Sequence, residues 1–409
     1  MHGFTMGVLA AVVLAAILAA DGAGRAAEVP AADKAAVVKG DNEFALDLYA
    51  KLRAQEGNLF LSPASIATAL AMTYGGARGE TAEQMAKALH FTLPPDRLHP
   101  AFAALLKEIN TPGKERGYQL STANALWGQK GYHFLPGYLK LTRDNYGAGL
   151  NEVDFAGNTE GARKTINLWV EKETHDKIKD LIKPGMLDGM TRLVLTNAIY
   201  FKGDWVRKFK KERTREEPFF APGGKQVKTP LMHETSTFKY LDGGTFQALE
   251  LPYKGRELSM VVLLPKKNDG LPDLEKQLTA ARLNEWLGKL RPEEVNVTLP
   301  RFKMTAEFQL SSQLSALGMK RAFSKQADFS GMNGGQEPLF ISDVIHKAFV
   351  DVNEEGTEAA AATAVIVRAT SAQPHVPPTF RADHPFVFLI RDNRSGSLLF
   401  LGRLVNPQP

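Results

Sequence analysis

The residues with the clearest potential for chemistry are Ser236 and Lys239, which fit the S-x-x-K pattern of serine acylases. The companion motifs S-D-N and K-T-G are absent. His233 and Glu234 begin like the zinc motif H-E-x-x-H, but Thr, Ser and Thr follow them. The chain also lacks G-x-S-x-G, the P-loop and G-x-G-x-x-G, and its histidines show no metal-ligand spacing. We therefore expect no catalytic residue, no metal and no other cofactor.

A different kind of signal lies at residues 354–363, which read Glu-Glu-Gly-Thr-Glu-Ala-Ala-Ala-Ala-Thr after the strand-like segment Val344–Val352. The alanines favour a helix, whereas the β-branched residues at 365–367 favour a strand. Read at period two, one face carries only small or apolar uncharged side chains, namely Thr357, Ala359, Ala361, Thr363, Val365, Val367 and Ala369. This profile suits a segment that can slide between two strands. Taken alone, the segment also fits a surface helix or an Ala-rich linker.

The neighbours of this segment decide between these interpretations. Residues 353–363 resemble the reactive-loop hinge of the serpins, residues 380–388 the family signature, and residues 401–407 its last strand. Further blocks similar to the family lie at 58–66, 196–205, 327–332 and 341–348. All occur in family order from about Asp41 to Pro407. The chain is thus identified as a member of the serpin family, and we expect a bacterial, exported member of the inhibitory type.

The resemblance implies an α+β serpin fold: helices around a large, mostly antiparallel central sheet, with an exposed reactive-centre loop at about 354–379. Periodicity and turn signals predict the same class independently. The predicted helices are Asn42–Leu52, Pro63–Tyr74, Thr81–Leu89, Leu98–Ile109 and Thr159–Lys172. The predicted strands are Arg192–Phe201, Phe246–Tyr253, Glu257–Leu264, Val295–Phe302, Val344–Val352, Phe386–Ile390 and Leu398–Leu404.

The resemblance also implies a function: a suicide-substrate inhibitor of serine-type endopeptidases, whose loop is cleaved and then inserts into the central sheet. Family spacing from Gly356 puts the reactive bond between Thr370 and Ser371, which favours an elastase- or subtilisin-like target. Arg368 leaves a trypsin-like target open. The predicted hinge comprises Glu354, Glu355, Gly356, Thr357, Glu358, Ala359, Ala360, Ala361, Ala362 and Thr363. A non-inhibitory serpin that binds other proteins or acts like a chaperone is the alternative, which the uncharged face of the hinge disfavours.

Other family positions have mechanical roles. Ser62, Ser65, Asn197 and His346 resemble the shutter, a polar cluster beneath the strands that must part, and Trp205 resembles the tryptophan of the breach where the hinge enters. Each also has a plainer interpretation: Ser62 as a helix cap, His346 as a satisfied core histidine and Trp205 as a core aromatic.

Composition sets the remaining expectations. The chain has 409 residues, a formal charge of +5 and no cysteine, so neither disulfides nor a thiol nucleophile is available. Residues 8–20 are apolar and uncharged, which predicts a signal peptide at 1–27, a single serpin domain at 28–409, and a secreted or periplasmic location. An uncleaved anchor helix is the alternative. The basic run Arg207–Lys211 has acidic neighbours and predicts a solvated loop. We expect a monomer with no nucleic-acid partner and, after removal of the leader, no membrane contact.

Overall fold

The computed structural model of the chain describes residues 29–111, 117–147, 150–357 and 376–408. The predicted leader at 1–27 lies outside these ranges. So do Glu358, Ala359, Ala360, Ala361, Ala362 and Thr363 of the predicted hinge and the predicted reactive bond, Thr370–Ser371.

Helices cover most of the first described range and recur at intervals along the chain. They are α1 (Ala31–Leu52), α2 (Pro63–Tyr74), α3 (Gly79–Ala88), α4 (Pro95–Asn110), α5 (Pro136–Tyr146), α6 (Thr159–Glu173), α7 (Leu271–Gln277), α8 (Ala280–Lys289), α9 (Ser311–Ala316) and α10 (Ser330–Asn333). Among the described residues, no helix is both long and apolar enough to cross a membrane.

Strands dominate the remainder. They are β1 (Leu59–Leu61), β2 (Tyr118–Gln129), β3 (Leu150–Val153), β4 (Leu193–Asp204), β5 (Arg215–Ala221), β6 (Lys225–Asp242), β7 (Phe246–Pro252), β8 (Leu258–Pro265), β9 (Arg291–Pro300), β10 (Phe302–Gln309), β11 (Asp343–Val352), β12 (Gly356–Thr357), β13 (Thr379–Arg381), β14 (Phe386–Asp392) and β15 (Leu398–Leu404).

The strands form two sheets. One is nine-stranded, in the order β1-β15-β14-β8-β7-β6-β9-β13, with β5 paired to β6. The other is six-stranded, in the order β10-β11-β4-β2-β3, with β12 paired to β4. The strand predicted at Arg192–Phe201 is therefore confirmed as central, because β4 lies between β11 and β2.

Helix α2 has the bounds predicted from the sequence. Proline at its first position fits because the N–H that proline lacks has no helical partner there, and the Ser62 hydroxyl accepts a hydrogen bond from the Ser65 N–H at 3.4 Å. Helix α1 begins at Ala31, well before the predicted Asn42, since Val37 and Val38 extend its buried stripe by more than a turn.

The two faces of β4 pack against different helices. Val194, Ala198 and Tyr200 share a buried cluster with Ile166 and Val170 of α6. Alternate residues of β4 point the other way, so that Leu195 joins the core that contains Ile66 and Leu70 of α2. The six-stranded sheet is thus covered on both faces where β4 runs.

Strand β4 has two partners along the same edge. Its lower part pairs with β11 in parallel, from Val194 opposite Asp343 to Tyr200 opposite Phe349. Its upper end pairs with β12 in antiparallel fashion, with Gly356 opposite Asp204 and Thr357 opposite Gly203. β11 pairs with β4 only as far as Tyr200. The first residues after the turn that follows β11 pair with the same edge of β4 beyond that point.

Gly356 is required for this contact. A Cβ at this position would lie 2.0 Å from the Gly203 carbonyl oxygen and 2.6 Å from the Asp204 Cα, and its φ of +146° is a conformation that disfavours other residues. Close backbone approach explains why the sequence has glycine here.

We predict that Gly356→Ala detaches β12 from β4, because backbone atoms cannot yield as a flexible side chain can. The Trp205 amide, which donates to the Glu355 carbonyl at 3.0 Å, reports this contact. A local strain of about 1–3 kcal/mol corresponds to roughly 5- to 150-fold faster amide exchange. Hydrogen–deuterium exchange measures it. Gly137→Ala in α5, where nothing lies within 4 Å of the added Cβ, is the control. Unchanged exchange at Trp205 in Gly356→Ala would contradict the prediction.

Candidate functional site

The segment that links β11 to β12 is a tight turn, Asn353–Gly356, which we call the hinge turn. The Asn353 N–H donates to the Gly356 carbonyl at 2.8 Å, and the Gly356 N–H donates back to the Asn353 carbonyl at 3.2 Å. The Asn353 side chain accepts from the Glu355 N–H at 3.0 Å. These local bonds reverse the chain so that β12 runs antiparallel to β4.

Trp205 fastens the hinge turn to the end of β4. Its indole N–H donates to the Asn353 carbonyl at 3.0 Å, and its backbone N–H donates to the Glu355 carbonyl at 3.0 Å. The ring stacks on Tyr253 with 4.6 Å between centroids and 13° between planes. Trp205 is 3% exposed, so the indole N–H needs a partner, and the turn supplies it. Besides being a core aromatic, Trp205 therefore holds the turn.

Glu354 is a carboxylate almost removed from solvent, with 4% of its surface exposed. It accepts a hydrogen bond from the Thr214 hydroxyl at 2.7 Å and lies 3.5 Å from the Arg301 guanidinium. Its carbonyl accepts from the Phe209 N–H at 2.9 Å. These partners offset the cost of burying the carboxylate, and through them Glu354 ties the turn to the β4–β5 connection and to Arg301 between β9 and β10.

Glu355 takes two lysines. Its carboxylate oxygens lie 2.8 Å from the Lys208 ammonium and 2.9 Å from that of Lys211. The hydrogen bonds from Lys208 and then Lys211 hold the pKa of Glu355 below its ordinary value. The sequence assigned this basic run to a solvated loop with its own acidic neighbours. In the structure two of its lysines instead pair with the hinge turn, about 145 residues further along the chain.

A second group of polar side chains lies between α2 and the six-stranded sheet. We call it the polar cluster; its members are Ser62, Ser65, Asn124, Asn197 and His346. The Asn197 amide donates to the Ser65 hydroxyl at 2.7 Å and to the Asn124 carbonyl oxygen at 2.6 Å. Ser65 in turn donates to Asn124 at 2.8 Å. The Ser62 hydroxyl donates to the Leu399 carbonyl at 2.7 Å.

His346 joins the two strands that pair in parallel, since it lies opposite Asn197 in their register. Its Nε2 accepts a hydrogen bond from the Ser62 N–H at 3.1 Å, so in the neutral ring the proton is on Nδ1, which donates to the Asn197 side-chain oxygen. Burial lowers the pKa of His346 to about 3. A neutral ring with both nitrogens paired follows.

The structure thus brings Ser62, Ser65, Asn197 and His346 into one network and puts Trp205 beside the hinge turn. Asn124 was not predicted from the sequence. It joins the cluster because it lies opposite Asn197 in the pairing of β2 with β4, which no local pattern indicates. The mechanical roles given to these residues stay predictions.

The catalytic patterns do not assemble. Ser236 and Lys239 are three residues apart on β6, where successive side chains alternate, so they face opposite ways, and the Lys239 ammonium pairs with Glu250 at 3.0 Å. His233 contacts Glu217 at 2.9 Å and the Thr298 hydroxyl at 3.1 Å. In the described part of the chain, no group of three or more acidic, histidine or cysteine side chains is arranged to hold a metal.

We predict that His346 makes the fold sensitive to acid. Above about pH 6.5 the ring is neutral in both states. As the pH falls from about 6.5 towards about 3, the unfolded chain takes up a proton that the folded chain refuses, so the free energy of unfolding drops by up to about 1.4 kcal/mol per pH unit. His99, whose pKa burial lowers to about 4, adds a similar dependence over a shorter range.

Denaturant unfolding at a series of pH values tests this. In His346→Gln, the dependence of the free energy of unfolding on pH should fall by the equivalent of up to about one bound proton. The dependence that remains is the part due to His99. The matched control is His133→Gln, a substitution at an exposed histidine, which should keep the wild-type dependence. If His346→Gln retains the wild-type slope, the assignment to His346 is wrong.

Comparisons with known proteins agree with this geometry. The family described as Serpin (serine protease inhibitor) matches residues 39–407. A leukocyte elastase inhibitor from Homo sapiens is 47% identical over 381 residues, which cover 90% of this chain and 98% of that protein. A serpin-like protein from Thermococcus kodakarensis is 44% identical over 373 residues, covering 91% of this chain and 86% of that protein.

The fold is that of solved serpins. The crystal structure of uncleaved ovalbumin superposes with a TM-score of 0.82 at 33% identity, covering 91% of this chain and all of that one. The prediction of an α+β serpin fold is confirmed.

The predicted secreted or periplasmic location is wrong. The leukocyte elastase inhibitors that this chain resembles are intracellular serpins. The apolar run at 8–20 has the length of a signal-peptide core, but no lysine or arginine precedes it, so composition was an insufficient guide. The family match over residues 39–407, together with relatives of 47% identity along nearly their whole length, shows that the chain belongs to the serpin family.

Proposed function

We propose that the chain inhibits serine proteases as a suicide substrate and not as an enzyme. Family membership and the identity to leukocyte elastase inhibitors support serine protease inhibition. In the proposed mechanism, the target protease attacks a bond in the loop at about 354–379 and forms an acyl-enzyme. The cut loop then inserts between β4 and β11 before the acyl bond is hydrolysed, which distorts the attached protease.

One observation carries the proposal: β12 is antiparallel to β4 at the point where β4 and β11 stop pairing. A strand inserted between them would replace one parallel pairing with two antiparallel ones, which are slightly more stable per residue. β12 already forms the first two residues of such a strand, and it runs antiparallel to β4 as the inserted strand would.

The register of β12 supports the period-two interpretation of the hinge. Gly356 lies opposite Asp204 and Thr357 opposite Gly203. Continued after cleavage, this register would put Ala359 opposite Phe201, Ala361 opposite Ile199 and Thr363 opposite Asn197. Phe201 and Ile199 belong to the buried core on the α2 face, so the uncharged face of the loop would enter an apolar layer.

The polar cluster supports the same mechanism. To part β4 from β11, the hydrogen bond between Asn197 and His346 must break, while Asn197 keeps its bonds to Ser65 and Asn124. In the continued register, the hydroxyl of Thr363 arrives opposite Asn197 and can take the place of the lost partner. A buried group that exchanges its partner avoids the penalty of losing it.

The specificity of the loop remains as proposed from the sequence. A protease with a small specificity pocket would accept Thr370 and cut before Ser371, which agrees with relatives named leukocyte elastase inhibitors. Cleavage after Arg368 by a trypsin-like enzyme would leave the inserted strand two residues shorter. We propose that the protein acts as a monomer.

We predict that the protein forms a complex with leukocyte elastase that survives boiling in detergent, because the acyl bond is trapped by insertion. Mass spectrometry of the released C-terminal peptide should show that it begins at Ser371. A peptide beginning at Ala369 would move the specificity residue to Arg368. If elastase- and subtilisin-type enzymes all cut the loop and are released active, the inhibitor proposal fails for that class and the non-inhibitory alternative gains.

We predict that Thr357→Arg converts the inhibitor into a substrate. Residue 357 already lies opposite Gly203, on the face of β4 that carries Phe201 and Ile199. Insertion of the rest of the loop would bury an unpaired charge there, at a cost on the order of several kcal/mol. Each ~1.4 kcal/mol on the insertion barrier slows that step about tenfold. Deacylation then wins, so cleavage occurs at the same bond and a similar initial rate while complex yield collapses.

Glu358→Arg is the matched control, since its register partner is Lys202 on the opposite face of β4. Like charges opposite each other in a sheet cost roughly 1 kcal/mol or less, so complex yield should fall much less. Gel densitometry of complex and cleaved product gives both yields. If Thr357→Arg still traps protease at the wild-type stoichiometry, the assignment of the inward face is wrong.

A further inference from the structure

A cavity of about 390 Å³ is lined by residues of α1, α2, α4 and β2. This is within the range of small-molecule sites. Much of its lining is apolar and includes Met72, Phe102, Leu105, Ile109 and Ile199. Ser62, Ser65 and Asn124 of the polar cluster also reach it. No residue of the hinge turn lines this cavity.

One lining residue has no partner. Asp41 of α1 is 9% exposed, and its Oδ1 is buried without a hydrogen bond. Removal from water is the one influence on its pKa, which lies well above the ordinary value of an aspartate, and no cation or donor in the described residues offsets it. The other buried acids among the described residues have partners, as Glu354 does, so Asp41 is a hydrogen-bonding group that awaits a donor.

The charge of the lining selects the kind of donor. Its ionisable acids are Asp41 and, on α6, Glu173, and the lining contains no lysine, arginine or histidine. An anion would find no cation there. A cation with an apolar body would satisfy Asp41 and bury its remaining surface against the aliphatic and aromatic lining.

Tyr146 of α5 adds a second polar group to the lining of the cavity. Its ring lines the same cavity, and its hydroxyl lies 2.6 Å from Nδ1 of His99. Burial, and then the charge of Asp41, raises the pKa of Tyr146, which means that Asp41 lies close enough to be felt. The phenol is therefore neutral and available to share a bound ammonium.

We propose that this cavity binds a primary amine with an apolar, aromatic-sized body, the ammonium group pairing with Asp41. This ligand would be separate from the protease that the chain is proposed to inhibit, although the cavity shares Ser62, Ser65 and Asn124 with the polar cluster. Binding to the folded chain alone would raise the free energy of unfolding with the logarithm of one plus the ratio of ligand concentration to the dissociation constant.

Tryptamine, tryptophol and indole-3-acetate test the charge requirement, because they share an indole and differ in one terminal group. Isothermal titration calorimetry of the full chain should show saturable binding of tryptamine, at least about tenfold weaker binding of neutral tryptophol, and none of the anionic acetate. Asp41→Asn should weaken tryptamine binding about tenfold or more, since it removes a charge-assisted hydrogen bond.

Asp47→Asn is the matched control, since Asp47 is an acid on the same helix whose carboxylate instead pairs with His90 at 2.8 Å. It should bind tryptamine like the wild type. Near-ultraviolet circular dichroism establishes that each variant is folded. The proposal is overturned if the wild type does not bind tryptamine saturably, if tryptophol binds equally well, or if folded Asp41→Asn binds undiminished. A greater loss of tryptamine affinity in Glu173→Gln than in Asp41→Asn would mean that the amine pairs with Glu173, and this would also overturn the proposal.

Discussion

The parallel pairing of β4 with β11 is the constraint on which the rest of the structure depends. The two strands are neighbours from Val194 and Asp343 to Tyr200 and Phe349, and above that point β4 turns to another partner. A sheet covered on both faces is ordinarily too stable to part, because each separated backbone group would lose its hydrogen bond. Here the side-chain bond that crosses this pairing joins Asn197 to His346, and Asn197 keeps two further partners when that bond breaks. The sheet is thus held together at its middle by a bond that can be exchanged.

At the C-terminal end of β4, hydrogen bonds and ion pairs hold the hinge turn in place. Glu355 makes ion pairs with two lysines, but such pairs near the surface typically contribute about 0–1 kcal/mol each. The backbone bonds from Trp205 and Phe209 to the hinge turn are more direct anchors, and the indole N–H of Trp205 adds a third. These contacts lie before Gly356, in residues that would stay in place if the loop inserted as proposed. The charged residues Glu354 and Glu355 therefore lie in the anchored turn, and the alanines at 359–362 come after it in the sequence.

Elements whose signals are local were predictable from the sequence. Pro63–Tyr74 was predicted at both ends because serine, proline and a glycine pair mark its boundaries, and the largely apolar residues at 193–201 marked the central strand. Strand β2 was not predicted, since small and polar residues fill its middle at 121–125 and it becomes a strand through pairing with β4 on one side and β3 on the other. The same reason explains Asn124, and also the pairing of Lys208 and Lys211 with Glu355. Each depends on residues that are far apart in the chain, about which a local pattern carries no information.

Among the described residues, the buried acids other than Asp41 are hydrogen-bonded or ion-paired, while His99 and Arg391 each have one buried nitrogen without a partner. His346 is wholly buried, yet a donor and an acceptor serve its two nitrogens, and the neutral ring suits both. Arg403 and Glu275 are buried together at 3.2 Å, and Tyr49 donates to the same carboxylate. Asp41 lies on the same helix as Tyr49 and has no comparable partner among the described residues. An apolar residue at position 41 would stabilise the fold, since an unpaired buried acid costs free energy and gives no contact in return. The carboxyl group faces a cavity without a cation in its lining, and this is the arrangement expected where the missing donor comes from outside the chain.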